Sequence, residues 1–169
     1  MAAREREGPP GFAQFVDARY AALVRSAYLL VGDRGHAEDV VQSALVKTLG
    51  AWPRLAAVEA AEAYTRTTMV RLAARAARRR WRGEIATGEL PDGSGPAADP
   101  ATTIDVRAAL RRLPWAQRAV LVLRFLDDLS EQQTADVLGC SVGTVKSRTS
   151  RGLAALRASG LIDSEVVHG

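Results

Sequence analysis

The segment 130–157 constrains the fold more than any other part of the chain, because its residue order is that of two short helices joined by a tight turn. Ser130 followed by Gln133 is the signature of a capping box at a helix N-terminus. Gly139 suits the left-handed residue that ends such a helix, and Ser141 is a favourable N-cap for the next one. Apolar or small side chains then recur at three- and four-residue spacing, at Val142, Val145, Thr149, Leu153 and Leu156. The segment therefore predicts a helix-turn-helix.

The outer face of the second of these helices is small, hydroxylic and basic, and no acidic residue occurs between Gly139 and Arg157. Such a face can enter a DNA major groove, where cations meet phosphates and Lys, Arg or hydroxyl groups reach base edges. The face consists of Gly143, Thr144, Lys146, Ser147, Ser150 and Arg151. The pattern favours DNA binding over the alternative of a solvated face on an ordinary helical hairpin.

The rest of the chain indicates an all-α fold. Alanine and arginine dominate its 169 residues, while alternating strand patterns and hairpin signals are missing. We expect two small helical domains joined by a flexible linker. The predicted boundaries are a disordered tail at 1–11, a first domain at 12–82, a linker at 83–103, a second domain at 104–157 and a tail at 158–169. The linker prediction depends on the Gly, Pro, Ser and Thr content of 83–103 and on its four acids without a base.

Several classes of function find no support in the sequence. Cys140 is the only cysteine, which excludes an internal disulfide and a cysteine-based metal site. Zinc-protease, P-loop, nucleophile-elbow and CxxC motifs are missing, so we expect no catalytic residues, no metal and no cofactor. No apolar run has the length of a membrane span and the N-terminus lacks a signal peptide's apolar core, so we expect a cytoplasmic protein without membrane insertion.

The second predicted helix, from about residue 34 to 49, carries a polar outer side. It contains Glu38, Asp39 and Gln42, together with an exposed Val46. Acids in a first turn stabilise a helix N-terminus electrostatically, which is one explanation of Glu38 and Asp39. A docking surface for a protein partner is the other.

The third predicted helix, from about Val58 to Trp81, carries one strongly basic face. Its arginines follow i, i+4, i+7 and i+11 spacing, and no acid occurs between residues 63 and 82; the four are Arg71, Arg75, Arg78 and Arg82. Like charges at these spacings destabilise an isolated helix, so an anion is expected to compensate them. Together with the stacking surfaces of Tyr64 and Trp81, this pattern favours nucleic acid over a solvated arginine face.

Two blocks of sequence resemble bacterial RNA polymerase sigma factors of the extracytoplasmic-function type, especially a SigE-like actinobacterial subgroup. LRRLPWAQRAVLVLRFLDDLSEQQTADVLGCSVGTVKSRTSRGLAALR is similar to the family's region 4. GDRGHAEDVVQSALVKTL resembles regions 2.1–2.2, and AYTRTTMVRLAARAARRRWR resembles regions 2.3–2.4. The resemblance covers nearly all of residues 12–157.

The resemblance implies a promoter-specificity subunit that binds core polymerase, recognises −35 and −10 promoter elements and promotes DNA opening. It implies −35 contacts by Thr144, Lys146, Ser147, Ser150 and Arg151, with Arg148 on phosphate. It implies −10 contacts by Arg71, Arg75, Arg78, Arg79, Trp81 and Arg82, and core-polymerase contacts by Glu38, Asp39, Gln42 and Val46. Many members of the family carry Asn where this chain has Arg71, which favours an electrostatic contact there over base recognition. The implied partners are promoter DNA, the clamp helices and flap region of core RNA polymerase, and an anti-sigma factor.

Two alternatives remain at this point. The helix-turn-helix block also resembles the DNA-binding domain of LuxR-type regulators, so a free-standing dimeric regulator would explain it but would leave residues 12–82 unexplained. A degenerate sigma-like factor that occupies polymerase without opening DNA would fit Arg71 and the alanine-rich helix around it.

Overall fold

The computed structural model describes residues 8–81 and 100–161, with side chains for residues 8–80 and 106–161. This part of the chain is helical and contains no strand. Its helices are α1 (Phe12–Val31), α2 (Arg34–Ala51), α3 (Val58–Trp81), α4 (Pro100–Arg112), α5 (Trp115–Leu121), α6 (Glu131–Leu138) and α7 (Val142–Ala158), with a 3-10 turn at Trp52–Arg54 and a π-helical turn at Val122–Leu126. The prediction of an all-α fold is confirmed.

The N-terminal half is a bundle in which α1, α2 and α3 pack against one another. Its fully buried side chains include Leu30, Val41 and Met69. The bundle is closed at the α1–α2 turn, where Gly32 adopts a left-handed conformation with φ 81° and Asp33 caps α2 by accepting the N–H of His36 at 2.8 Å. This tight turn folds α2 back along α1, which brings their apolar stripes together.

The C-terminal half contains the predicted helix-turn-helix in α6 and α7. The Ser130 hydroxyl accepts the N–H of Gln133 at 3.0 Å, and the Gln133 side chain accepts the N–H of Ser130 at 2.8 Å. Gly139 ends α6 with φ 65°, and Ser141 caps α7 by accepting the N–H of Thr144 at 3.1 Å. The predicted capping box, turn glycine and second N-cap are therefore confirmed.

Some expectations about individual residues were wrong. Helical spacing in the sequence predicts one helix from Trp115 to Leu126 with Leu126 on its inner side, but the structure changes to a π-helical turn after Leu121 and Leu126 is 43% exposed. Helical spacing in the second predicted helix likewise places Leu49 on the inner side, but Leu49 is 38% exposed and α2 continues past it to Ala51.

The ends of the predicted segments also differ from expectation. Pro10 and Gly11 of the predicted disordered tail lie against Trp52, whose indole N–H donates to the Pro10 carbonyl at 3.1 Å. Residues 100–103, assigned to the linker, form the first turn of α4, and Ala158 is the last residue of α7. Residues 83–99 of the predicted linker and residues 162–169 of the predicted tail lie outside the described residues.

The two halves pack against each other through an interdomain interface, formed by α1 and α3 on one side and by α4, α5, α6 and the π-helical turn on the other. Apolar residues of both halves belong to one continuous core. Asp127 joins them by accepting the Ser26 hydroxyl at 2.6 Å and the Nε–H of Arg66 at 3.3 Å. Burial raises the pKa of Asp127, and these two donors partly oppose that rise.

Candidate nucleic-acid and polymerase interfaces

Helix α7 presents the predicted DNA-facing residues on one arc opposite its buried stripe. The buried stripe contains Val145, Gly152 and Leu156. Lys146, Ser147, Ser150 and Arg151 are exposed, while Thr144 and Arg148 are half-buried. A row of exposed cationic and hydroxylic groups on a helix whose opposite side is anchored in the fold can be placed in a groove without local rearrangement.

Two hydroxyls on this arc already have partners in the helix itself. The Thr144 hydroxyl lies 2.9 Å from the Ser141 hydroxyl, and the Ser147 hydroxyl donates to the Thr144 carbonyl at 3.1 Å. These bonds orient the side chains of the first turn of α7. Lys146 and Arg151 are then the long groups that extend from this face.

The groove beside α7 also contains charged residues that the sequence reasoning missed. Arg124 and Arg157 line it together with Lys146, and Glu131 of α6 lies there as well. A Glu131 carboxylate oxygen is 3.8 Å from the Lys146 ammonium, so the acid-free stretch of α7 faces one acid from a different helix. The sequence contained a signal for this contact, since Glu131 lies in the first turn after the capping box and the first turn of α6 adjoins α7 in a helix-turn-helix.

Helix α3 presents its basic face to solvent. Arg71, Arg75, Arg78 and Arg79 are exposed, and none of them makes an ion pair within the part of the chain that the structure describes. Arg80 points the other way and donates to the Val31 carbonyl at 3.0 Å. The side chain of Trp81 and all of Arg82 lie outside the described residues, and the −10 assignments of all six residues stay predictions.

The predicted polymerase-facing residues lie along one side of α2. Asp39, Gln42 and Val46 are exposed, Val46 to 68%. Glu38 accepts the Nε–H of Arg34 at 3.0 Å, an exposed i,i+4 pair that stabilises the first turn by only a few tenths of a kcal/mol. Leu49 is also exposed and extends the apolar part of this side beyond Val46. Helical periodicity alone predicts that Leu49 lies in the core.

A shallow groove of about 250 Å³ connects the α2 and α3 surfaces. Asp39 and His36 line it from α2, and Arg75 and Arg79 line it from α3. The acid that the sequence assigned to a protein partner and two arginines assigned to nucleic acid are therefore neighbours across one groove. A ligand on either helix can influence the electrostatics of the other.

The described residues contain no cluster of three or more His, Cys, Asp or Glu side chains arranged to hold a metal ion. None of the helices described is both long enough and apolar enough to pass through a bilayer.

Comparison with known proteins identifies both halves of the chain. Residues 15–83 match the family model for Sigma-70 region 2, and residues 103–156 match the model for Sigma-70, region 4. The chain is 41% identical over 151 residues to the RNA polymerase sigma-E factor of Streptomyces avermitilis, an alignment that covers 86% of this chain and 83% of the relative. It is 40% identical over 151 residues to the sigma-E factor of Streptomyces coelicolor, with 86% and 84% covered.

Solved structures with the same fold include the sigma factor RpoE from Bartonella quintana in complex with the anti-sigma factor NepR. That structure aligns with a TM-score of 0.73 and 25% identity over 90% of this chain and 98% of that one. CnrH in complex with the cytosolic domain of CnrY aligns with a TM-score of 0.66 and 25% identity, over 90% of this chain and 89% of that one. From the two family matches and the sigma-E relatives, the chain belongs to the sigma-70 family of RNA polymerase sigma factors, in its extracytoplasmic-function type, and is a promoter-specificity subunit of RNA polymerase.

Proposed function

We propose that three surfaces of this sigma factor divide the work of initiation. The exposed arc of α7 reads the −35 element, the arginine face of α3 holds the opened −10 region, and the outer side of α2 binds the clamp helices of the polymerase's largest subunit. The observation that carries the proposal is the set of four exposed arginines on α3 without an ion pair in the described structure, since such a face needs an external anion.

At the −35 element, Lys146 and Arg151 supply the cations and long donors, and Thr144, Ser147 and Ser150 supply short polar groups that let the helix approach. Arg148, half-buried at the edge of the arc, is placed for a phosphate. Because each half of the protein offers only a few cations, and phosphate contacts weaken steeply with salt, neither half alone should hold promoter DNA tightly. Core polymerase, by fixing both halves on one duplex, makes the second contact effectively intramolecular.

At the −10 element, the arginines of α3 bind the phosphates of the displaced strand, and Trp81 and Arg82 add stacking and charge. Each stacked base can contribute about 1–3 kcal/mol, which offsets part of the unpairing energy. Arg71 acts here through charge and not through a base-specific hydrogen bond.

At the polymerase, Asp39, Glu38 and Gln42 form a polar rim, and Val46 with Leu49 forms an apolar centre. This arrangement matches the usual anatomy of a protein interface, in which a desolvated apolar patch supplies affinity and charges at its edge supply orientation.

The flap region of polymerase is the proposed partner of residues 104–157. The chain contributes binding energy and no chemical step, since nucleotide addition belongs to the polymerase, and it acts in the cytoplasm. An anti-sigma factor is a further proposed partner, in line with the complexes formed by RpoE and CnrH.

Reconstituted transcription tests the proposal. The purified chain is mixed with core polymerase, co-elution is measured by gel filtration, and run-off products are sequenced from a genomic template library. We expect a stable complex and initiation at sites sharing −35 and −10 elements. A chain that leaves core polymerase inactive on every template, or never co-elutes with it, contradicts the proposal.

The same assay separates the two alternatives. A free-standing regulator would protect palindromic DNA from cleavage without polymerase. A degenerate factor would co-elute with polymerase but leave thymines near the start site unreactive to permanganate, because it does not open the duplex.

A further inference from the structure

A cleft of about 750 Å³ opens between the two halves, with α1 and α3 on one wall and α4 and α5 on the other. Four arginines line it, namely Arg80, Arg111, Arg112 and Arg118, and no acidic residue among those described does. Its volume is in the range of small-molecule sites. The cleft is separate from the exposed faces of α7 and α2 described above.

Part of this positive charge has a structural role. Arg118 donates to the carbonyls of Leu30 at 2.8 Å and Leu110 at 2.9 Å, and Arg80 donates to the Val31 carbonyl at 3.0 Å. These carbonyls belong to the C-terminal turns of α1 and α4, each of which carries about half a negative elementary charge. Two helix ends therefore offset about one of the four positive charges.

The remaining charge has no compensation in the described structure. The side chains of Arg111 and Arg112 donate no hydrogen bond and make no ion pair among the described residues. Burial lowers the pKa of Arg118, and repulsion by Arg111 and Arg80 lowers it further. Arg111 and Arg112 are exposed at the mouth of the cleft, and Arg80 and Arg118 are half-buried, so the uncompensated cations are open to an anion from solvent.

The shape of the cleft adds two features. Arg111 passes over Gly32, where a Cβ atom would lie only 2.8 Å from its Nε, so a residue without a side chain lets this guanidinium reach the cleft. Trp115 contributes an aromatic wall, and its buried indole N–H has no hydrogen-bond acceptor among the described residues. Guanidinium groups bind phosphates through paired N–H donors, and an aromatic ring can stack on a base.

We propose that this arginine cleft is a binding site for a small polyphosphate anion, of the kind carried by a nucleoside di- or triphosphate, which joins the two halves of the free sigma factor by bridging Arg80 of α3 with Arg111 and Arg112 of α4. Phosphates on these arginines neutralise the excess charge between the halves. The apolar and aromatic wall around Trp115 accommodates the base.

The test is thermal unfolding and titration calorimetry of the full-length chain without polymerase or DNA. The probes are ATP, GTP, AMP and inorganic tripolyphosphate, with sodium sulfate at equal ionic strength. A ligand at 100 times its Kd should raise the Tm by about 5–10 °C for a chain of this size. We expect ATP, GTP or tripolyphosphate to do so, AMP to act more weakly, and sulfate to have little effect.

The decisive comparison uses two double variants that remove the same charge. Arg111→Gln with Arg112→Gln changes the two cleft arginines that form no structural hydrogen bond, and it should weaken polyphosphate binding at least tenfold. Arg25→Gln with Arg54→Gln changes two exposed arginines outside the cleft and should leave binding unchanged. If the double cleft variant does not fold, as judged by its far-UV circular dichroism, the single variant Arg112→Gln at an exposed position replaces it.

The outcomes separate the sources of the anion. Equal binding of tripolyphosphate and ATP supports a site that reads only the phosphates, and preferential binding of a nucleotide supports one that also reads the base. No shift with any polyphosphate, or an equal loss in both double variants, overturns the proposal. In a separate titration with duplex DNA as the probe, binding of the duplex but of no polyphosphate, lost in the cleft variant, also overturns the proposal and assigns these arginines to promoter phosphates. Because no polymerase is present, these results are independent of those of the run-off assay.

Discussion

At the scale of single residues, the exposed side chains of α7 and α2 differ in how firmly their neighbours hold them. Lys146 has an acid at 3.8 Å, Glu131, whereas Arg151 is exposed and has no ion pair in the described structure. Asp39 is likewise exposed, while its neighbour Glu38 is already hydrogen-bonded to Arg34. The groups without a partner in the free protein are therefore the ones whose removal should affect binding most directly.

Replacement of Arg151 by alanine should reduce initiation at −35-dependent promoters by about 5- to 150-fold, since a good arginine contact to a base or phosphate contributes about 1–3 kcal/mol. Run-off transcription and gel-shift assays of the holoenzyme measure the effect. Arg25→Ala, which removes the same charge from α1, is the control. Core binding should be unchanged, and equal initiation by Arg151→Ala and wild type would contradict the assignment.

Replacement of Asp39 by alanine should weaken binding to core polymerase several-fold. A charge at the rim of an interface mainly speeds association, so its removal lowers the affinity while the apolar contacts at the centre remain. Competition against another sigma factor for a limiting amount of core reads this out. Asp17→Ala, at an exposed acid of α1, should compete like wild type. If the two variants compete equally well, Asp39 is not at the interface.

The residue scale also shows what the sequence could predict. The exposed cations and hydroxyls of α7 and the exposed Val46 followed from helical spacing, because their exposure depends on the local register of one helix. Glu131 near Lys146 and the exposed Leu49 did not, since each depends on how one helix end meets another element. Spacing describes the face of a helix but not where the packing of that helix stops.

At the scale of elements, α7 packs closely against α5 at Gly152, which lies against Leu121. A Cβ atom at residue 152 would lie 2.9 Å from Leu121 Cδ1 and 3.2 Å from its Cγ. Leu121 is itself buried in the core. The absence of a side chain at residue 152 thus lets the recognition helix approach α5 closely.

Two glycine substitutions in α7 test this packing. Alanine in place of glycine gains up to about 1 kcal/mol of helix propensity, but overpacking a core costs about 1–3 kcal/mol. Gly152→Ala should therefore be neutral to destabilising by about 2 kcal/mol, measured by urea unfolding. Gly143→Ala, where the Cβ meets only the Ser141 hydroxyl at 3.8 Å, should be stabilising. Stabilisation by both substitutions would show that α5 and α7 are not in close contact at Gly152.

The elements themselves were largely predictable, because their ends carry local signals such as the Ser130–Gln133 box, Asp33 and the turn glycines. The π-helical turn was not. Its wide bond runs from the Asp127 N–H to the Val122 carbonyl at 3.1 Å, and the Asp127 side chain is held by Ser26 and Arg66. Those partners are 101 and 61 residues away in the chain, so no local pattern encodes the turn.

At the scale of the whole molecule, the interdomain interface makes one folded body out of two domains that the sequence had described separately. Asp127, with its side chain 8% exposed, is one of its polar contacts, and the bond from Arg118 to the Leu30 carbonyl is another. Glu62 is a further acid near Asp127 that also binds Arg66. The composition of 83–103 gave no information on this docking, which depends on shape and on buried groups from distant parts of the chain.

The raised pKa of Asp127 gives the interface a pH dependence. A carboxyl whose pKa is raised by folding binds its proton more tightly in the folded state, so its contribution to stability is complete below the unfolded pKa of about 3.9 and is lost as the pH rises through the folded value. The Tm of wild type minus that of Asp127→Asn should therefore increase as the pH falls from 7 toward 4. Asp128→Asn removes the same charge at the exposed neighbouring residue and is the control. If the Tm of wild type minus that of Asp127→Asn decreases as the pH falls, the result contradicts the burial of Asp127.

The docking of α3 against α6 affects the apparent affinity of the protein for its partners. Packed helix axes are about 8–10 Å apart, whereas two promoter elements separated by roughly two turns of DNA are about 70 Å apart. If α3 binds the −10 element and α7 the −35 element, as proposed above, the free protein must undock before both elements can be occupied together, and only the undocked fraction is competent. Apparent affinity is the intrinsic affinity multiplied by that fraction, so a docked population of 99 in 100 weakens it about a hundredfold. The contacts around Asp127 and Arg118 stabilise the docked state. Their strength would therefore influence the concentration of this sigma factor that is needed to compete with other sigma factors for core polymerase.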